Sequence, residues 1–158
     1  NIHGDTLIDY SAEHITTEES GELVAALEKE LSSESVKFHH GISFRNVITL
    51  KADITGLASF APHDHMDEPW RKYLPTGGPA EAVLRNLIAR SRPILENHPV
   101  NIARKKNGKR PANMIWPWSG GPFPRMETFQ KKYGLRAGGR GRRYGRSSFC
   151  RSASGVVP

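Results

Sequence analysis

Between residues 16 and 50 the spacing of apolar side chains changes period, and that change constrains the fold more than any other feature of the chain. Thr16 with Glu19 three residues later is a capping-box pattern, in which side chains and backbone satisfy each other at a helix start. Leu23, Val24, Leu27 and Leu31 then fall on one helical face, which predicts a helix through about Ser32. Glu18 and Glu19 complement the positive end of its dipole, while Gly21 weakens the first turn. Val36 and Phe38 alternate next, and His39-His40-Gly41 reads as a turn. Ile42, Phe44, Ile48 and Leu50 continue at period two as the best strand in the chain. On that reading Arg45 points to the face opposite Phe44, open to a ligand or to solvent.

Residues 53–76 mix prolines, small residues and charges and read as a long loop, a length often associated with function in compact domains. A second helix begins near Gly78-Pro79 and buries Val83, Leu84, Leu87, Ile88 and Leu95. Pro93 is expected to kink or end it, because proline lacks the donor and crowds the preceding turn. Residues 101–111 read as a basic loop with a tight turn at Asn107-Gly108. Residues 114–118 fit a short buried strand, and residues 126–133 fit a short helix closed by Gly134. From Leu135 onward the chain is rich in Gly, Arg and Ser and has no apolar periodicity.

With 158 residues and 37% apolar content, the chain suits one modest core. No apolar run approaches the roughly 20 residues that span a bilayer, so a membrane role is not expected and a cytoplasmic origin is. Cys150 is the single cysteine, which excludes an internal disulfide and a zinc site of several thiolates. The formal charge of +7 invites a nucleic-acid reading, but its distribution argues otherwise. Residues 1–68 carry −9, residues 69–134 carry +10, and the last 24 residues carry +6, so the body is close to neutral and the excess sits in the tail.

His63-Asp64-His65-Met66-Asp67-Glu68 is the densest set of metal-ligand types, and the imidazoles of His63 and His65 share a face if the segment is extended. No second cluster completes a site by spacing. Arg45 offers forked donors suited to a carboxylate or phosphate; the alternative is a surface arginine paired with a nearby acid. Arg104 stands under the same two readings. His98 and Asn101 are expected to cap the preceding helix and order the loop, Asn113 to hold backbone, and Trp116 and Trp118 to pack.

Several runs carry a family resemblance: Asp9-Tyr10-Ser11-Ala12, His14-Ile15-Thr16-Thr17-Glu18-Glu19, Pro62-His63-Asp64, His98-Pro99-Val100-Asn101, Pro111-Ala112-Asn113 and Trp116-Pro117-Trp118. Together they resemble the archaeal-type cofactor-independent phosphoglycerate mutases of the alkaline phosphatase superfamily. The likeness covers residues 9–135. It implies an α/β fold, here an alkaline-phosphatase-like fragment made mainly of the α+β inserted domain with a piece of the core sheet. Residues 1–15 would then end the first core section, 16–100 form the inserted lid, and 101–134 return to the core. Enzymes of this kind interconvert 3-phosphoglycerate and 2-phosphoglycerate through a phosphoserine, with two divalent metal ions (Mn, Mg or Zn). The resemblance implies substrate-binding roles for Arg45, His63, Asp64 and Arg104, and no catalytic or metal-ligating residue in this chain. The nucleophile and metal segments would precede Asn1 and follow Pro158, leaving the isolated chain inactive and the remainder of the catalytic domain as its partner.

Two departures stand inside the match: Glu13 where glycine or a similar small residue is expected, and Arg92-Pro93 in place of a more helix-friendly pair. The largest lies in the tail, Gly139-Arg140-Gly141-Arg142-Arg143, where the family continues with small apolar residues. Arg136 or Ala137 is therefore expected to mark a frameshift. The competing readings are another phosphoryl-transfer enzyme of the superfamily and an RNA-binding protein acting through its Arg/Gly tail.

Overall fold

The structure is a computed structural model and describes residues 1–122 and 127–134. The chain divides into two units, residues 1–122 and 123–158. The Arg/Gly tail, the expected frameshift position and Met126 lie outside the described residues.

The first unit opens with a minimal antiparallel hairpin, β1 (Ile2–His3) and β2 (Thr6–Leu7), which no periodicity announces because each strand is two residues long. Next come α1 (Thr17–Leu31), β3 (Val36–Ile42) and β4 (Arg45–Leu50). The Thr16–Glu19 capping box forms in both directions: Glu19 N–H donates to Thr16 Oγ1 at 3.1 Å, and Thr16 N–H donates to Glu19 Oε2 at 3.0 Å.

The hairpin corrects the expected turn. β3 runs straight through His39-His40-Gly41, and the reversal falls at Ser43-Phe44, where Ser43 has φ 53°. The register shifts between His39 and Ile42, and a Cβ on Gly41 would lie 2.2 Å from the Arg45 carbonyl oxygen. Glycine is therefore required there because the backbone closes on itself, not because the chain turns.

Residues 53–76 carry two 3₁₀ turns, Pro62–Asp64 and Trp70–Tyr73; a single bridge pairs Ala58 with Thr76, and another ties Pro69 to Thr6. The helix α2 (Glu81–Glu96) passes through Pro93 without ending there. Its last turn is held by the burial of Leu95 and by Asn101 Nδ2 donating to the Leu95 carbonyl at 2.8 Å. Val83 is exposed and does not join the buried face.

The expected basic loop is largely a helix, α3 (Pro99–Lys106). His98 caps it by accepting from Val100 N–H, and Pro99 sits at its first position, where a missing donor costs nothing. Asn101 is fully buried and also exchanges hydrogen bonds with the Ala112 backbone at 2.9 Å in both directions. Residues 114–118 form no strand. Asn113 clamps Ile2 instead, accepting from its N–H at 2.8 Å and donating to its carbonyl at 2.8 Å.

One core joins α1, β3 and α2 through Leu23, Val24, Leu27, Leu31, Val36, Phe38, Leu84, Leu87 and Leu95. A smaller one, Ile2, Leu7 and Trp70, lies under the N-terminal hairpin. Burial of this kind stabilises by about 1.5–3 kcal/mol per large side chain. In the second unit, α4 (Phe129–Tyr133) starts at a Thr128 cap, which the sequence reading did not single out, and ends at left-handed Gly134 as expected.

Candidate functional site

The site starts from an unusual backbone. Ala12, Glu13 and His14 all have positive φ, at 50°, 55° and 50°, and Ile15 N–H donates to the Ser11 carbonyl at 3.2 Å to close the turn. A left-handed run of non-glycine residues costs roughly 1–2 kcal/mol per residue, so neighbours must hold it. Asp9 holds the inner side. Its carboxylate accepts from Ser11 N–H and Ser11 Oγ at 2.8 Å each, from Glu13 N–H at 2.6 Å, and from Arg110 Nη1 at 3.3 Å. Desolvation pulls the Asp9 pKa upward, but those donors together outweigh it and hold the carboxyl below its ordinary range.

Arg104 holds the outer side and is only 3% exposed. Its Nη2 donates to the Ala12 carbonyl at 2.5 Å, its Nη1 pairs with Glu19 Oε2 at 2.6 Å, and its Nε donates to the Arg110 carbonyl at 2.9 Å. Of the two readings open to Arg104, these contacts match pairing with an acid, Glu19. Each guanidinium nitrogen already has a protein acceptor, and the side chain does not reach an open surface.

On either side of this turn the chain presents exposed groups. Tyr10 places its ring 5.3 Å from Phe44 and 5.9 Å from His63, edge-on to both. His63 in turn meets Trp118 at 5.4 Å, and its Nε2 lies 3.7 Å from Asp64 Oδ1. Arg45 lays its guanidinium carbon 4.4 Å over the Phe44 ring, so it stacks on that ring instead of pointing away from it. The hairpin turn that carries Phe44 is tied back to α1: Ser43 Oγ donates to the Ile15 carbonyl at 2.5 Å, and Asn46 Nδ2 donates to Ser20 Oγ at 3.1 Å.

The structure thus brings Arg45, His63 and Asp64 to one aromatic row and leaves Arg104 beneath it. Tyr10 and Trp118 belong to that row, and sequence reasoning gave them no such place. Trp118 reads as a packing residue yet is 47% exposed. Tyr10 stands in one of the runs that carry the family resemblance, but a lone aromatic beside Asp9 gives no signal of what it faces. The arrangement offers a forked cation, an imidazole and an acceptor-only carboxylate on an exposed surface, a set suited to a small anion bearing hydroxyl groups.

His63 and His65 do not share a face. Their segment is a 3₁₀ turn, not extended, and His65 stacks on Tyr73 at 3.7 Å and 13° while Tyr73 donates to Glu68. That bond holds Glu68 low against the pull of desolvation and, together with desolvation, raises the Tyr73 phenol. Among the described residues, no three His, Cys, Asp or Glu side chains are placed to hold a metal ion, so these residues do not build a metal centre by themselves. No described helix is long and apolar enough to cross a membrane.

Comparison with known proteins places this chain and its fold in a class. The sequence model of the 2,3-bisphosphoglycerate-independent phosphoglycerate mutases matches residues 1–101. A protein of that name from Methanothrix thermoacetophila is 42% identical over 81% of this chain, and one from Methanosarcina acetivorans is 41% identical over 84%. A solved cofactor-independent phosphoglycerate mutase from Thermoplasma acidophilum covers 83% of this chain with a TM-score of 0.65 at 22% identity, a likeness of fold. The chain belongs to the 2,3-bisphosphoglycerate-independent phosphoglycerate mutase family. It spans about a third of the length of these relatives, 32% and 34% of the two archaeal proteins.

Proposed function

We propose that this chain carries the substrate-gripping part of a metal-dependent phosphoglycerate mutase, and that Arg45, His63 and Asp64 hold the phosphoglycerate. The observation that carries the reading is the meeting of those three side chains on one row, with Tyr10 between them. A guanidinium matches the fork of a phosphate or carboxylate, and stacking on Phe44 fixes its plane before ligand arrives. His63 donates to a ligand oxygen, and the Asp64 carboxylate accepts from a glycerate hydroxyl. In this reading residues 16–100 act as the lid, residues 101–134 lead back toward the catalytic core, and the nucleophilic serine and both metals are supplied by chain outside these 158 residues. The phosphoryl group would pass through that serine while the grip of this chain keeps the glycerate from leaving.

Titrating the 158-residue chain with 3-phosphoglycerate tests this. Saturable binding is expected, weakened at least ~10-fold by Arg45→Ala, the scale of one lost charge-assisted hydrogen bond. His63→Ala is expected to act in the same direction, and no mutase turnover should accompany binding. Binding that is equal in wild type and Arg45→Ala, or absent altogether, would overturn the reading.

A further inference from the structure

The left-handed turn lies between two branches of the row. Two residues before it stands Tyr10, whose ring packs against those of His63 and Phe44. Immediately after it stands Ile15, whose carbonyl accepts from Ser43, the residue that turns the hairpin into Phe44 and Arg45. Any change in the turn therefore alters the separation of Tyr10 from the hairpin. The turn does not hold itself: Ala12, Glu13 and His14 all have non-glycine side chains at positive φ. Asp9 braces it from within its own segment, but the hydrogen bond to the Ala12 carbonyl comes from α3, through Arg104, 92 residues further along the chain.

Arg104 is built for that task. It is buried, all three of its nitrogens have acceptors, and these acceptors belong to three separate places: the turn, the first turn of α1, and the backbone after α3. A planar fork can meet three fixed acceptors at once, whereas an ammonium is a point charge on a flexible stem. We propose that Arg104 is a positioning residue: it fixes the Ala12–His14 turn and through it sets Tyr10 against His63 on one side and Phe44 with Arg45 on the other. What the row binds rests on the proposed function; the positioning itself does not.

The test is made on the whole 158-residue chain by nuclear Overhauser contacts between the Tyr10 ring and the His63 and Phe44 rings, without ligand. Wild type should show both contacts. Arg104→Lys, which keeps charge and removes the fork, should lose them while its backbone amide spectrum stays dispersed. Adding Glu13→Gly to Arg104→Lys should restore them, because glycine takes a positive φ unaided, whereas an equally stabilising substitution away from the turn should not. If Arg104→Lys fails to fold, Glu19→Gln serves instead. It removes the carboxylate charge beside the guanidinium, keeps an acceptor for the cap, and should weaken the same two contacts.

Unchanged contacts in a folded Arg104→Lys chain, or in Glu19→Gln where the lysine variant does not fold, overturn the proposal, as does loss without rescue by Glu13→Gly. A parallel titration with 3-phosphoglycerate separates the two readings. If wild type shows no binding while the contacts still depend on Arg104, positioning stands and the assigned ligand falls. If wild type binds and Arg104→Lys binds as well with its contacts intact, positioning falls and the ligand stands.

Discussion

Glu13 shows what a single residue can reveal. The family pattern leads one to expect glycine or another small residue there, and the backbone explains why: φ is 55°. Glutamate accepts the strain and recovers part of it by accepting from Arg110 N–H at 2.9 Å, a bond that is exposed to water and correspondingly weak. Glu13→Gly should therefore raise stability by about 0.5–1 kcal/mol, the relief of a left-handed side chain less the entropy of a freer unfolded chain. Urea denaturation reads this directly, and a midpoint that falls in the variant would show that the turn is not strained as argued. The same scale explains why Arg104 misleads in sequence. A charged residue in a run of Lys and Arg looks solvated, and nothing local announces that Glu19, 85 residues earlier, awaits its guanidinium.

At the scale of elements, the hairpin makes the sharpest prediction. Gly41 is not at the turn, yet a methyl group there would sit 2.2 Å from the Arg45 carbonyl. Gly41→Ala should cost roughly 1–3 kcal/mol through forced backbone movement and displace Arg45 from Phe44. Thermal unfolding measures the first effect and chemical shifts of the Phe44 ring the second; an unperturbed Tm would count against the bulge. The elements themselves are legible in the sequence to different degrees, for physical reasons. Helix α1 announces itself by its cap and its apolar face, since both signals are local. The turn between β3 and β4 does not, because His-His-Gly resembles a turn, while the real reversal uses Ser43 and Phe44, whose conformation is fixed by hydrogen bonds to Ile15 and Thr17. Pro93 and the helix α3 mislead for a related reason: tertiary bonds from Asn101 support the end of α2 and tie α3 to the Ala112 backbone. Of the site, Arg45, His63 and Asp64 are visible as residue types and by resemblance. Their meeting through Tyr10 is not, because it joins three segments distant in sequence.

At the scale of the whole molecule, the 158-residue polypeptide taken alone carries a free amine at Asn1, and its burial makes stability depend on pH. The Asn1 ammonium donates to the Asp9 carbonyl at 2.5 Å and is largely desolvated, which lowers its pKa from 8.0 to about 6. Below pH 6 the amine is charged folded and unfolded, and the desolvation penalty is fully present. Above pH 8 it is neutral in both states and the penalty is gone. Stability should therefore increase by about 2–3 kcal/mol as pH rises from 6 to 8. Comparing the chain with an N-acetylated version isolates this slope from that of the histidines, and parallel curves for the two would refute it.

Asn113 gripping Ile2 has a consequence for how the unit comes into being. Emerging from a ribosome, Ile2 must wait until more than a hundred further residues have been made before the amide that grips it exists. The β1–β2 hairpin should therefore acquire protection from solvent exchange last, and closing so wide a loop makes its arrival slow. A nascent chain halted before residue 113 would leave the Ile2 backbone without its partner amide, while Leu7 could already meet Trp70.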